Sequence, residues 1–404
     1  MNKVFAYSLL LLLGLIGSQL FPEIIRSGYS SIFEIAQFLM NVVLSYIMIR
    51  VGFEFEVDKS RIKSYGWDYV VAMTSAAFPW ILVAIYFIFL LSKDYMASWN
   101  AWEEILLVSR FCAPTSAGVL FSMLAAAGLG ATWVFKKVRI LAIFDDLDTI
   151  ILLIPLQIMI IGLEWQLSMV LPFVLLLLII AWKYFSSIKI KYSWKWLLFY
   201  ALIITTFSEA IYITSKMINE TVPIHLEVLL PAFVLGTIIK HSGNKNKNDA
   251  SISTIISMIF MFLVGLSMPQ IAVDDSTMLV GKQTITAQQP MMSWSTIAFH
   301  VLMVTLISNI GKMFPLICYR KEANWNERLA ICIGMWPRGE VGAGILIISL
   351  NYGIGGPFVI IAMLSLALNL LLTGLFIYFV KNLIQIDKGW FFHRHRLDTG
   401  LSLK

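Results

Sequence analysis

The sequence predicts an all-α polytopic membrane protein with about 12 transmembrane helices in one domain, residues 1–404. Three observations carry this. Of the 404 residues, 59% are hydrophobic and only 13% charged, with a mean hydropathy of +0.82, far from the composition of a soluble globular domain. The apolar residues fall into blocks of roughly 17–25, the length that crosses about 30 Å of hydrocarbon as a helix. Lys and Arg gather in every second connection between those blocks, 17 against 4 in the alternate ones.

The blocks of the first half are Val4–Leu20, Ile32–Ile49, Tyr69–Leu91, Ile105–Ala127, Ile140–Ile161 and Leu167–Trp182. Those of the second half are Trp196–Thr214, Ile224–Ile239, Ile252–Met268, Ser293–Cys318, Leu329–Leu350 and Phe358–Leu383. Val4–Leu20 follows Lys3 as a signal peptide would. No small-residue cleavage site follows it, so it reads as a retained first helix. The Lys-rich and Arg-rich connections include Lys136, Lys137 and Arg139 after the fourth block, and Lys183, Lys189, Lys191 and Lys195 after the sixth. By the positive-inside rule these face the cytoplasm, as do both termini. The same bias accounts for the net charge of +6 without invoking nucleic acid. The longest connection, Pro269–Met292, is expected outside. Residues 384–404 are expected to form a short cytoplasmic tail too small to fold. Cys112, Cys318 and Cys332 lie in or beside membrane segments and do not form a disulfide framework.

Two blocks interrupt themselves. The fourth carries Pro114 near its centre, followed by Thr115, Ser116 and Gly118. The eleventh carries Pro337, Gly339, Gly342 and Gly344, with Arg338 and Glu340 among them. Proline removes a helical hydrogen bond and clashes with the preceding turn. Irregular backbone at membrane depth survives only when buried in protein or lining a wet cavity. A pair of interrupted segments in corresponding halves points to a transporter's binding site.

Each break adjoins a block with an intramembrane charge. Asp145 and Asp146 sit side by side at midspan of the fifth block. Ionised carboxylates there cost several kcal/mol by the lower estimates and mark cation binding or proton relay. Asp148, on the face of Asp145, reads either as a vestibule carboxylate or as a helix-pairing one. Lys312 reads either as a buried countercharge or as a lysine snorkelling to the cytoplasmic surface. Arg338 and Glu340 read mainly as a structural ion pair holding the broken helix. Arg110, Glu209 and His300 read as packing or helix-end residues, and the many Met, Phe and Trp as lipid-facing and interfacial side chains.

These residues resemble bacterial monovalent cation/proton antiporters of the second cation–proton-antiporter group. Ala113-Pro114-Thr115-Ser116-Ala117 is similar to the Thr-Ser stretch of that family's unwound fourth helix. Phe144-Asp145-Asp146-Leu147 resembles its Asp-Asp motif. Gly311-Lys312 matches the lysine of its tenth helix, and Trp336-Pro337-Arg338-Gly339-Glu340-Val341-Gly342 its Pro-Arg-Gly-Glu-Val-Gly signature. Gly52-Phe53-Glu54-Phe55-Glu56 resembles a motif that closes an early helix. The chain departs from the pattern in placing two blocks rather than three before that motif. It also places Pro114 before the Thr-Ser pair, and adds Arg110 and Asp148.

The resemblance implies an inverted-repeat antiporter fold with crossing helices 4 and 11. It also implies a core bundle of about helices 3–5 and 10–12, and the remaining helices as a dimerised scaffold. The expected function is secondary exchange of Na⁺ or Li⁺ for H⁺ by alternating access, electrogenic, in a bacterial inner membrane and without a cofactor or enzymatic activity. Asp146 is the expected cation ligand, helped by Thr115 and Ser116; Asp145 is expected to pair with Lys312 when the site is empty. Adjacent carboxylates titrate as a pair, so cation and proton compete for the same oxygens. A sodium-coupled symporter of an organic anion shares the crossing-helix architecture and is the alternative. An intramembrane aspartyl protease would need its two aspartates on different helices, which this chain lacks.

Overall fold

The structure, a computed structural model, describes residues 2–25, 29–55, 62–91, 96, 98–162, 165–218, 228–240, 247–268, 289–290, 292–352 and 354–398. Among these residues the regular elements are helices, apart from one isolated bridge between Ile188 and Ile239. The helices are α1 Asn2–Ile25, α2 Tyr29–Phe53, α3 Ile62–Ile88, α4 Trp99–Ser109, α5 Ala117–Ala126, α6 Trp133–Ile161, α7 Trp165–Lys183 and α8 Trp194–Ile218. They continue as α9 Leu229–Ile238, α10 Lys247–Leu266, α11 Trp294–Gly311, α12 Pro315–Cys318, α13 Trp325–Gly334, α14 Glu340–Asn351 and α15 Pro357–Asp398. Each of the 12 expected blocks is occupied by a helix or by a helix pair split at a break. Seven segments are long and apolar enough to cross a membrane by themselves, and four shorter helices are apolar too. The long helix α6 is not among them; it carries Lys136, Lys137, Arg139, Asp145, Asp146 and Asp148.

The expected outer connection lies outside the described residues except for Gln289, Pro290 and Met292, as does the end of the chain beyond Asp398. The helix of the last block runs on to Asp398, through most of the expected tail, because a nucleated helix gains one hydrogen bond per added residue and no proline interrupts it.

The chain divides into two compact units. One holds most of α1, then α2, the second half of α6, and α7–α10. Within it α2 is central and packs on α8, α9 and α10. Gly52 of α2 and Gly236 of α9 let the two backbones meet. A Cβ on Gly52 would strike the Phe233 carbonyl and lie 3.1 Å from the Gly236 Cα. Without a hydrophobic drive between helices in lipid, such close approach is what holds them. Ile203, Phe207 and Met217 of α8 are 50%, 59% and 82% exposed, an apolar surface suited to lipid rather than to water.

The other unit holds α3, α4, α5, the first half of α6 and α11–α15. Here α15 packs on α11 and α13, and α14 packs on α4 and α15. Phe87 and Phe358 stack at 4.9 Å between ring centroids. At one end of this unit lies a buried polar cluster. Lys137 in the second turn of α6 binds Asp68 of α3 at 2.9 Å and Glu322 at 3.1 Å. The Tyr319 hydroxyl donates to Asp68 at 2.7 Å, and the Lys137 ammonium lies 4.5 Å over the Tyr319 ring. Burial, with the Asp68 carboxylate beside it, pushes the Tyr319 hydroxyl above its usual range and keeps it a donor. The cluster ties the start of α6 to the connection between α12 and α13, and so braces the helices that carry the intramembrane charges.

Replacing one partner of a buried ion pair strands the other. Lys137→Met is therefore expected to destabilise the purified protein by about 3 kcal/mol. Lys321→Met, at an exposed neighbour, is expected to have little effect. Thermal unfolding in detergent measures both; equal melting temperatures for the two variants would show that the cluster is not a brace.

Candidate ion site at the crossing of two broken helices

Helix α4 ends at Ser109 and continues as a single 3₁₀ turn, Arg110–Cys112. The chain then runs extended through Pro114 to Ser116. Ser116 caps α5, its hydroxyl accepting from the Val119 amide at 3.4 Å. On the second broken segment α13 ends at Gly334, α14 begins at Glu340, and Pro337 and Gly339 lie in the extended stretch between them. The two stretches cross and satisfy each other's backbone. The Ser116 amide donates to the Pro337 carbonyl at 3.0 Å, and the Thr115 hydroxyl to the Met335 carbonyl at 3.0 Å. Arg338 Nη1 donates to the Pro114 carbonyl at 3.4 Å. Groups that no helix can pair at this depth are thus paired across the crossing.

One ion pair sits at the crossing. Asp145 Oδ2 accepts from Lys312 Nζ at 2.8 Å and from the Thr115 amide at 2.8 Å. Both side chains are 0% exposed, which rules out the snorkelling reading of Lys312. Lys312 caps the C-terminus of α11, where a cation also complements the helix dipole. Asp146, the next residue on α6, is buried at 4% exposure. The Ser116 hydroxyl donates to Glu340 Oε2 at 2.6 Å. With the hydroxyl hydrogens of Thr115 and Ser116 engaged, their oxygen lone pairs are the part left for a cation. Carboxylates, hydroxyls and freed carbonyls are the oxygen donors that hard cations require.

The expected Arg338–Glu340 ion pair is not formed. Arg338 donates to the carbonyls of Pro114 and Ser308, the latter at 3.1 Å, while Glu340 takes the Ser116 hydroxyl. The two lie two residues apart on either side of an extended Gly339 (φ −170°), and each faces a different neighbour. Both pin α14 and its preceding stretch to the first broken helix, so the bracing role survives with other partners.

Asp148 is buried, and its carboxylate accepts from the Tyr69 hydroxyl. It is a helix-pairing residue here, linking α6 to α3. Arg110 is fully buried, its guanidinium 4.5 Å over the Trp80 ring and its Nη2 donating to the Asp148 carbonyl at 3.1 Å. His300 Nδ1 meets the Tyr86 hydroxyl at 2.7 Å. In the other unit, Glu209 accepts from Asn41 at 3.5 Å. Tyr69, Trp80 and Ser308 all support the site, and sequence reading missed them. Aromatic and hydroxyl residues are common in membrane helices, and nothing local marks these three. The brace of Asp68, Lys137 and Tyr319 was missed for another reason: its members lie 69 and 251 residues apart.

Gly311 sets the position of Lys312. A Cβ there would fall 2.6 Å from the backbone of Pro79 in α3, closer than atoms pack. Gly311→Ala is expected to push α11 off α3, at a cost of about 3 kcal/mol, and to misplace Lys312, lowering exchange as well as stability. Gly344→Ala meets nothing within 4 Å and is expected to leave both unchanged. Melting temperature and proton flux in proteoliposomes read the comparison; similar losses in both variants would overturn the role given to Gly311.

The sequence matches the family described as sodium/hydrogen exchanger, transmembrane, over residues 3–356. Among solved structures, that of the sodium proton antiporter MjNhaP1 from Methanocaldococcus jannaschii at pH 8 is similar. It has a TM-score of 0.56 and 15% identity over 92% of this chain and 91% of that one. No curated protein matches the sequence. The structural likeness shows a shared antiporter fold, and the family match bears out the antiporter resemblance but not its placement in the second cation–proton-antiporter group. The 354 matched residues run from α1 to the residue before α15 and include the crossing, the paired aspartates and Lys312; this chain is a member of the sodium/hydrogen exchanger family.

Proposed function

We propose that the protein exchanges Na⁺, or Li⁺, for H⁺ across the membrane by alternating access. The observation that carries this is the fully buried Asp145–Lys312 pair at the crossing, with Asp146 as its immediate neighbour. In this reading Asp146 is the main cation ligand, and Thr115 and Ser116 lend hydroxyl oxygens. A cation drawn to the two carboxylates competes with Lys312 for Asp145. An ammonium left buried without its partner is relieved by releasing its proton, so one Na⁺ enters as protons leave. Two proton carriers, a carboxylate and Lys312, would make exchange electrogenic. Membership of an exchanger family favours antiport over organic-anion symport. The charge asymmetry of the connections supports a cytoplasmic site for both termini, and the resemblance supports a homodimer in a bacterial inner membrane.

Asp146→Asn keeps the volume of the side chain and removes its charge. It is expected to abolish Na⁺-driven proton flux in proteoliposomes while leaving folded, extractable protein. Near-normal exchange in that variant would remove Asp146 as the carrier ligand, and flux driven by a labelled organic anion instead would favour symport.

Lys312→Gln removes one proton carrier and leaves Asp146. The variant is expected to keep measurable exchange but to lose its response to membrane potential, clamped with K⁺ and valinomycin. Each elementary charge moved is worth about 2.3 kcal/mol per 100 mV, so the change is readily resolved. An unaltered potential dependence would take Lys312 out of the transport cycle and leave it a structural partner of Asp145.

A further inference from the structure

Five lysines, Lys183, Lys189, Lys191, Lys195 and Lys240, are brought together at one end of the unit built around α2. The chain leaves α7 at Lys183 and folds back so that residues 186–188 pair with 237–240. The Ser186 amide donates to the Thr237 carbonyl at 2.9 Å, and the Ile188 amide to Ile238 at 2.9 Å. The Lys240 amide donates to Ile188 at 2.8 Å. This sets Lys240 beside Lys189, 51 residues away in the chain. All five side chains are exposed. None joins an ion pair among the described residues, and no Asp or Glu occurs between Trp165 and Ser208. Aromatic rings hold several of the ammonium groups: Lys183 lies 5.5 Å over Tyr184, Lys191 5.1 Å over Trp196, and Lys195 5.5 Å over Trp194.

An exposed apolar face of α7 leads up to this cluster. It is formed by Leu175, Leu178, Ile179, Trp182 and Lys183, the positions i, i+3, i+4, i+7 and i+8 of α7 that share one face. Leu175, Ile179 and Trp182 are 51%, 61% and 46% exposed. From Leu175 to Lys183 the helix rises about 12 Å, within the roughly 15 Å of one leaflet's hydrocarbon. The face therefore offers an apolar track that ends on an indole and an ammonium.

We propose that this face of α7 and the adjoining lysines form a binding site for an anionic phospholipid, an acyl chain along α7 and the headgroup phosphate among Lys183, Lys189 and Lys240. Charge complementarity selects the occupant. Basic clusters at the ends of membrane helices attract anionic headgroups, and Trp and Tyr anchor at that level. A second copy of the chain is a poorer fit, because a twofold contact here would set the same lysines against each other.

The test uses the whole chain in detergent, titrated with phosphatidylglycerol, phosphatidylcholine or soluble glycerol phosphate, and read by native mass spectrometry and melting temperature. Phosphatidylglycerol is expected to bind and stabilise, and the other two are not. The triple variant Lys183→Gln, Lys189→Gln, Lys240→Gln is expected to bind phosphatidylglycerol at least about tenfold more weakly, since each lysine near the headgroups contributes on the order of 1 kcal/mol. Lys216→Gln, an exposed lysine at the opposite end of α8, is expected to match the wild type. Should the triple variant prove unstable, Lys183→Gln and Lys189→Gln singly are each expected to weaken phosphatidylglycerol binding about fivefold. Equal binding of phosphatidylcholine, full binding by the variants, or an equal response to glycerol phosphate would overturn the proposal. So would a lipid-independent dimer that covers this face of α7.

Discussion

The contact on which the rest of this structure depends is the buried ion pair between Asp145 and Lys312. Neither partner has access to water, so each needs the other, and the surroundings are built to keep them together. The Thr115 amide adds a second donor to the same carboxylate oxygen. Pro79 against Gly311 fixes where α11 ends. The cluster of Asp68, Lys137 and Tyr319 fixes the helices beyond. Breaking one side of such a pair costs about 3–5 kcal/mol, a large fraction of the stability of an ordinary protein. A pair that must open during transport is tolerable only if something positive replaces what is lost, and that requirement favours a cation as the opener.

The charge census of the crossing supports the same reading. Asp145, Asp146, Asp148 and Glu340 are buried, and so are Lys312, Arg338 and Arg110. With every group in its charged form, four carboxylates face three cations, a balance of one negative charge. In the proposed cycle a bound H⁺ brings the set to neutrality, and a bound Na⁺ does so until Lys312 releases its proton, after which one negative charge remains. In a low-dielectric surround an uncompensated charge is expensive to move, so the loaded and unloaded forms of this set differ in how readily they cross. Arg110 and Asp148, which depart from the pattern the motifs resemble, enter as one cation and one carboxylate and leave that balance unchanged.

The legibility of this fold in its sequence was uneven, for physical reasons. Membrane segments announce themselves because about 20 consecutive apolar residues have few other uses. Among the described residues all 12 blocks are accordingly helical but for the two breaks. The breaks at Pro114 and Pro337 were legible because proline cannot sustain a helix, and the paired aspartates because midspan carboxylates are costly. Partner choice was less legible. Arg338 and Glu340, two residues apart, looked like a pair, but an extended Gly339 separates them and each finds a partner on another segment. The brace around Lys137 was invisible, because its members come from distant parts of the chain and look individually like loop charges. The last helix outran its apolar block because helix propagation does not require an apolar sequence.

The two breaks also explain why hydroxyls and glycines crowd the crossing. An extended stretch in the membrane exposes amides and carbonyls that each cost several kcal/mol if unpaired. The Thr115 and Ser116 hydroxyls and the Arg338 guanidinium satisfy part of that demand, and the two stretches satisfy the rest mutually. The same groups that repair the broken helices are therefore the polar atoms nearest the carboxylates. If the crossing binds a cation as proposed, it needs no separate cage, because the hydrogen bonds that make irregular backbone tolerable in a membrane already gather oxygens of the kind a small cation seeks.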